Sequence, residues 1–409
     1  MTKKLSYPKH KINVLLLEGV HKDAVRLFEE EGYNVTYQTS SMSEEELHEA
    51  LERTQIIGIR SKTDMTESVI DNAPNLLCIG AFCIGTNQID LDAASKNGVA
   101  VFNAPYSNTR SVVELAIAEM VLLIRNLPDK IMAMHQGQWQ KSAEYSHELR
   151  GKKLGIVGYG NIGSQLSVLG EAMGLDVYYY DLEDKMPLGN ATRTASMEEL
   201  FKTVDIVSVH VDGRPSNKGI IGEEELSWLH DEAIFLNLAR GKVVDTEALR
   251  EAIDSERILG AGIDVYPEEP KTNDEPFEDV MAGARNTILT PHIGGSTMEA
   301  QEHIGNFVPH KIMDFINTGN TSGSVNLPNL KLPDFEDSHR FLHIHANKPN
   351  IMATINNILA RYDINIDGQY LQTNETVGYV ITDIDTDYNK KIIDELKNVE
   401  GTIRFRVLY

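Results

Sequence analysis

Gly158, Gly160 and Gly163 stand in the spacing G-x-G-x-x-G directly after the apolar run KLGIV and at the start of a helical stretch. In that setting the first glycine permits a tight turn, the second lets the backbone approach a pyrophosphate, and the third lets helix pack closely on strand. The helix start that follows, with Asn161 and Ile162, offers N–H donors and partial positive charge to phosphates. Asp181 closes the next strand, 23 positions after Gly158. A carboxylate there accepts hydrogen bonds from the adenosine ribose hydroxyls and repels a 2′-phosphate. The pattern predicts a bound dinucleotide, NAD in preference to NADP, with Lys185 nearby leaving dual use open. Glycines that merely shape a turn are the plainer alternative; strand, helix and Asp181 together speak against it.

Three further segments carry polar side chains at the ends of strand candidates, where open α/β sheets place their ligands: LNLARGKVVD with Ala239 and Arg240, GIDVYPEEP with Asp264 and Glu269, and LTPHIGGST with His292, Gly294 and Gly295. An imidazole takes or gives a proton near pH 7, and a guanidinium can hold a carboxylate through two parallel hydrogen bonds. Taken singly, His292 reads more readily as a capping or core histidine, and Arg240 as a surface ion pair.

The elements that must position these residues alternate along the chain. Short strand patterns occur in KINVLLLEG, NVTY, IIGIRS, LLCIGAF and VAVFNAP, with helical periodicity between them, which predicts a parallel sheet covered by helices. SVVELAIAEMVLLI is apolar on nearly every face and, at 14 residues, reads as a buried helix. A second alternating series begins at Lys153 and supplies six strand candidates, the pattern of a doubly wound sheet set inside the first domain. The helix formers after His292 return the chain to that first domain. Prolines and glycines over residues 318–337 read as a linker, and the rest follows the order βαββαβ, the ferredoxin-like arrangement. The expected fold is α/β: a flavodoxin-like substrate domain over residues 1–108 and 296–330, a Rossmann-type domain over 109–295, a linker over 331–338, and a small domain over 339–409.

With 409 residues, 41% hydrophobic and 24% charged, the chain is long enough for two to three globular domains. It holds no run of roughly 18 apolar residues that would span a membrane. For want of such a run no membrane is an expected partner, and a net charge of -23, which repels polyanions, speaks against nucleic acid. Cys78 and Cys83, without CxxC spacing, pack rather than react. Two cysteines and the start MTKKLSYPKHK, which lacks a signal peptide's apolar core, point to the cytoplasm. No metal is called for.

The three separated signatures, in this order, resemble the D-isomer-specific 2-hydroxyacid dehydrogenases over residues 11 to 320. The resemblance implies that Arg240, Glu269 and His292 form the active site of an NAD-dependent oxidoreductase, with Asp264 near the nicotinamide. His292 would take the hydroxyl proton, Glu269 would orient and tune it, and Arg240 would hold the substrate carboxylate and polarise the C2 oxygen.

IRSKTDMT, the stretch from IGAFCIGTNQID to VELAIAEM, and GQWQKS resemble family members that oxidise 3-phospho-D-glycerate to 3-phosphohydroxypyruvate on the way to L-serine. That implies phosphate binding by Arg60, Ser61, Lys62 and Asn108, and carboxylate binding at the N–H groups of Cys83 and Ile84. Trp139 and Lys141 would reach in across a subunit interface. Many relatives carry Arg where Lys62 stands, and Lys loses the two-pronged grip. Arg60 and Lys62 read by themselves would be a solvated loop pair. Residues 339–409 resemble an ACT domain, which implies L-serine bound at His345, Asn347 and Asn365, a dimer through the NAD domains and a tetramer through the tails. Without that resemblance, Asn347 is a cap for the helix beginning near Asn350, and His343 or His345 faces solvent on an edge strand. The linker reads FEDS where some relatives have paired glycines, so serine binding and its transmission to catalysis can part. The competing readings are a reductase of another 2-oxo acid, such as 2-oxoglutarate or glyoxylate, and an NAD-sensing interaction protein without catalysis.

Overall fold

Apolar runs too short for a helix pair as strands, and the amphipathic stretches between them cross over as helices. The computed structural model describes residues 8–270, 272, 274–332, 339–385, 388 and 390–408, which fall into two compact units, Met1–Ser107 with Gln301–Tyr409, and Asn108–Ala300.

In the first unit Asn13–Leu16, Asn34–Tyr37, Ile56–Ile59, Cys78–Ala81 and Ala100–Phe102 form a parallel sheet in the order second, first, third, fourth, fifth, the flavodoxin-like order. Helix starts between them are marked in the sequence: Ser43 and Glu46 close a capping box, and Thr66 and Asp90 accept the N–H of Val69 and Ala93. Helix Met298–Thr318 returns to this sheet and buries Ile304, Val308 and Ile312 in its core.

The tail's strands His339–Ala346, Ile366–Thr373, Val377–Ile384 and Thr402–Leu408 pair antiparallel, with the first strand between the third and fourth. This is the expected ferredoxin-like order. The sheet is not a free-standing module. Leu342, Ile344, Val377, Tyr379, Ile381 and Leu408 share one buried cluster with Val14, Phe102 and Phe315. Arg340 grips Asp383 with two hydrogen bonds, at 2.7 and 2.8 Å, and donates a third to Thr318 O, while Arg406 donates to Ile316 O and Arg404 to Leu76 O. The helix Met298–Thr318 thus ends against cations, which complement its C-terminal carbonyls.

The described part of the expected 318–337 linker is also built in. Asn326 accepts from Val101 N and donates to Val99 O, and Thr321 and Asn320 bond across to Leu330 and Leu332. Side-chain amides and hydroxyls satisfy a backbone that has no ladder, which is why a Pro- and Gly-rich stretch can be rigid. Residues 333–338, with the FEDS sequence, lie outside the described residues.

In the second unit seven parallel strands follow the Rossmann order, centred on Lys153–Val157, with Asp176–Tyr180 and Thr192–Arg193 on one side and Ile206–Val209, Ile234–Asn237, Gly260–Ile263 and Thr287–Leu289 on the other. The two-residue strand Thr192–Arg193 is the one the sequence reading lacks. Helix Thr109–Ile124 packs Val112, Val113, Ala116, Met120 and Leu123 against this sheet. Among the described residues no helix is long and apolar enough to cross a membrane.

Candidate active site

Each glycine of the motif has a local cause. Gly158 has φ +93°, and a Cβ there would stand 2.9 Å from the carbonyl of His210. Gly163 could not carry a Cβ, which would fall 2.2 Å from Gly158 O. Gly160 precedes helix Asn161–Ala172, and a Cβ built on it would meet nothing within 4 Å, so that side of the turn is open to a ligand. Asp181 accepts the Tyr159 N–H at 2.8 Å and the Glu183 N–H at 2.9 Å, binding the end of its strand to the glycine turn. Its oxygens retain lone pairs for ribose hydroxyls. Open Gly160, a helix N-terminus and a placed carboxylate together fit NAD, which supplies a hydride acceptor when bound.

Three loops at the carboxyl ends of neighbouring strands of the same parallel sheet meet one another. Asn237 holds the first, accepting the Ala239 N–H and donating to Arg240 O. Gly241 lets it touch the second loop, since a Cβ would fall 1.9 Å from Tyr266 C and O. Tyr266 ties the second to the third through its hydroxyl, which donates toward Ile263 O and Thr290 O, both at 3.1 Å. Asp264, 2% exposed, accepts from Thr290 Oγ1 at 2.6 Å and from the Ile293 and Gly294 N–H groups at 2.8 Å. Those three donors fix the turn in which His292 takes φ +52°, a conformation that costs about 1–3 kcal/mol for a residue with a side chain. Gly294 and Gly295 leave room for Asp264 and Asn108, whose side-chain atoms lie 2.9 and 2.0 Å from where a Cβ would be.

The result is a close pair. His292 Nδ1 lies 2.7 Å from Glu269 Oε2, and Glu269 Oε1 accepts the Tyr266 N–H at 3.0 Å. The hydrogen bond to Glu269 raises the imidazole above its ordinary pKa, against partial burial and the charge of Arg240, which lower it. Partial burial pushes Glu269 upward, but the bonds from His292 and Tyr266 outweigh it and hold the carboxyl below its usual value. Nδ1 faces Glu269, so Nε2 is the nitrogen left to meet a substrate. Arg240, near enough to influence both groups, donates from Nη1 to Ala239 O at 2.7 Å.

In the first unit the Arg60, Ser61 and Lys62 loop is shaped by a residue that the sequence reading missed. Glu18, at φ +58°, accepts the N–H groups of Arg60, Lys62 and Thr63 at 3.1, 2.9 and 2.9 Å. Gln88 and Cys83 both donate to Arg60 O, and Asn103 donates to Ile84 O, so the loops of residues 60–62 and 83–84 are joined. Trp139 is 79% exposed and Lys141 is exposed as well. In the tail His345 is buried, with Nδ1 donating to Ala346 O, and Nε2 has no partner among the described residues. Asn365 is exposed. His343 and His345 lie on an inner strand rather than a solvated edge, and Asn350, not Asn347, precedes the helix; Asn347 donates to Asn374 O.

Residues 117–294 match the family model of the D-isomer specific 2-hydroxyacid dehydrogenase NAD binding domain, and residues 341–404 match an AHAS small subunit-like ACT domain. Proteins named D-3-phosphoglycerate dehydrogenase are similar over the whole chain: 48% identical in Haemophilus influenzae, covering 100% of both chains, and 47% in Escherichia coli K12, covering 99% of this chain and 100% of that one. The chain belongs to the D-isomer specific 2-hydroxyacid dehydrogenase family. It is an NAD-dependent 2-hydroxyacid dehydrogenase with a C-terminal ACT domain. The relative in Dictyostelium discoideum is 46% identical, covering 99% of both chains. Among solved structures, a D-lactate dehydrogenase from Aquifex aeolicus complexed with NAD and lactic acid has a TM-score of 0.65 at 27% identity, covering 74% of this dehydrogenase and 95% of that chain. D-2-hydroxyisocaproate dehydrogenase has a TM-score of 0.68 at 25% identity, covering 77% and 100%.

Proposed function

We propose that this dehydrogenase oxidises 3-phospho-D-glycerate at C2 to 3-phosphohydroxypyruvate with NAD, the entry to serine synthesis through phosphorylated intermediates, and that L-serine bound at the tail restrains it. The observation that carries the reading is identity of 46–48%, along the full length, to three proteins named for that substrate. The joined cationic loop of Arg60 and Lys62 supports it, because a phosphate on an acidic protein needs local cations and N–H donors.

In the proposed reaction His292 Nε2 takes the C2 hydroxyl proton, and the imidazolium so formed is stabilised by Glu269. Arg240 holds the carboxylate and the C2 oxygen, whose C=O forms as the C2–H bond gives its hydride to the bound nicotinamide. Arg60, Ser61, Lys62 and Asn108 take the phosphate; the N–H groups of Cys83 and Ile84 meet the carboxylate. Trp139 and Lys141 act from a second subunit, a role supported by the exposure of Trp139 together with Met132 and Met134. Dimerisation uses the NAD domains and tetramer formation the tails, with serine at His345, Asn347 and Asn365. Asp181 sets the preference for NAD. A reducing, cytoplasmic setting suits Cys78 and Cys83 as thiols.

The test is an NADH absorbance assay comparing phosphohydroxypyruvate with glyoxylate, pyruvate and 2-oxoglutarate, each with and without L-serine. Phosphohydroxypyruvate should be reduced fastest, and serine should slow it. A tenfold preference for another 2-oxo acid overturns the substrate; an unchanged rate in serine overturns the effector.

A further inference from the structure

Glu119 lies in the last turns of helix Thr109–Ile124 and is 1% exposed. Neither of its carboxyl oxygens has a hydrogen-bond partner among the described residues. The helix rests there on strand Gly260–Ile263, and the approach is close enough that a Cβ on Gly262 would stand 2.5 Å from Glu119 Oε2. Two residues on is Asp264, whose oxygens accept the Thr290 hydroxyl and the Ile293 and Gly294 N–H groups. A helix side chain, a strand-end carboxylate and the His292 turn therefore stand in series.

An ionised carboxylate with no donor cannot be held in such a place, least of all beside a second one. Burial, and then the charge of Asp264, push Glu119 up to about 8. Few other charges face it. At the strand end there are Asp264 and Tyr266, with Glu269, His292 and Arg240 beyond them. The strands Ile234–Asn237 and Thr287–Leu289 carry no titratable side chain. Helix Asn161–Ala172 contributes Glu171, next to its last residue, and helix Leu127–His135 contributes Asp129, which accepts the Asn286 N–H. On its own helix there are Arg110 and Glu114, which pair with each other.

We propose that Glu119 is a positioning residue of the catalytic turn: as an uncharged carboxyl behind Asp264, it leaves that side chain's single negative charge to the three donors that hold His292 in place. Once Glu119 ionises, two carboxylates share one dry space, the hold on Thr290, Ile293 and Gly294 loosens, and turnover falls. The inference rests on His292 as the acid–base group.

The test is the pH dependence of kcat in the oxidation direction. There His292 must be neutral, so its own loss of a proton raises the rate, and an alkaline decline reports another group. With Glu119 titrating near 8, the ratio of Glu119→Gln to wild-type kcat should be about tenfold greater at pH 9 than at pH 7, with KM for NAD moved less than about twofold. A ratio that stays constant across this range overturns the proposal. Glu119→Met, apolar and of similar length, serves the same comparison if the Gln variant does not fold. The profile is taken on whichever 2-hydroxy acid is oxidised fastest, so failure with 3-phosphoglycerate bears on the substrate alone. Thermal unfolding of the full chain needs no substrate. A carboxyl whose folded pKa lies above its unfolded value loses stability as pH rises between the two, so the wild-type Tm should fall more than the variant's from pH 5 to 8. Parallel falls overturn the proposal.

Discussion

Glu269 Oε2 lies 2.7 Å from His292 Nδ1 while its other oxygen accepts the Tyr266 N–H, so the carboxylate is fixed before it fixes the imidazole. Glu269→Gln keeps the shape and removes the charge that raises His292. The imidazole then loses its proton at lower pH: the acid limb of oxidation and the alkaline limb of reduction both move down. Turnover at pH 7 in the reductive direction should fall roughly tenfold to a hundredfold, measured as a pH–rate profile against wild type. A profile that does not move excludes electrostatic tuning by Glu269.

Glu18 arranges three N–H groups of the Arg60–Lys62 loop, and Thr63, the third donor, is buried. Glu18→Ala leaves a buried donor without an acceptor and should cost about 1–3 kcal/mol in stability. It should also raise KM for a phosphorylated substrate more than it lowers kcat. Denaturant unfolding and substrate titration measure the two effects, and an unchanged KM separates Glu18 from substrate binding.

What could be seen in the sequence is what is local. Gly158, Gly160 and Gly163 act within one turn, and the ferredoxin-like order of the tail needs only hydrophobic periodicity. Glu18 gives no such sign, since its partners are main-chain N–H groups 42 to 45 positions away. Glu119 is one of two acidic letters in an apolar helix, and only the bare strand at Gly262 shows that it, unlike the exposed Glu114, points inward. Strand Thr192–Arg193 is two residues long, too short for any period. The docking of the tail on the first unit has no local sign in the sequence: Arg340, Arg404 and Arg406 each reach a main-chain carbonyl, of Thr318, Leu76 and Ile316, and carbonyls carry no sequence signature.

Asp181 holds the glycine turn by accepting the Tyr159 N–H, and in the proposed site it also takes the ribose hydroxyls. Asp181→Ala should therefore raise KM for NAD and reduce the preference for NAD over NADP by roughly tenfold or more, as expected when a site loses the group that accepts from a substrate hydroxyl. Steady-state kinetics with both cofactors decides it; an unchanged NAD to NADP ratio assigns Asp181 to the turn alone.

The docked tail alters what truncation does. A chain ending at Leu332 would uncover the face of Phe102, Phe315 and Ile316 that Leu342, Ile344 and Tyr379 bury. It should melt at lower temperature and bind an apolar dye, and it should show no response to L-serine. Melting curves of full-length and truncated chains measure this, and identical midpoints contradict a tail packed into the first unit.

With Glu269 bonded to its Nδ1, His292 is the proposed proton carrier of this NAD-dependent dehydrogenase. NADH oxidation by His292→Gln against wild type, with phosphohydroxypyruvate as substrate and NADH affinity measured in parallel, tests it most directly. Turnover should fall by roughly 10²-fold or more with NADH affinity little changed; wild-type turnover in the variant would remove His292 from that role.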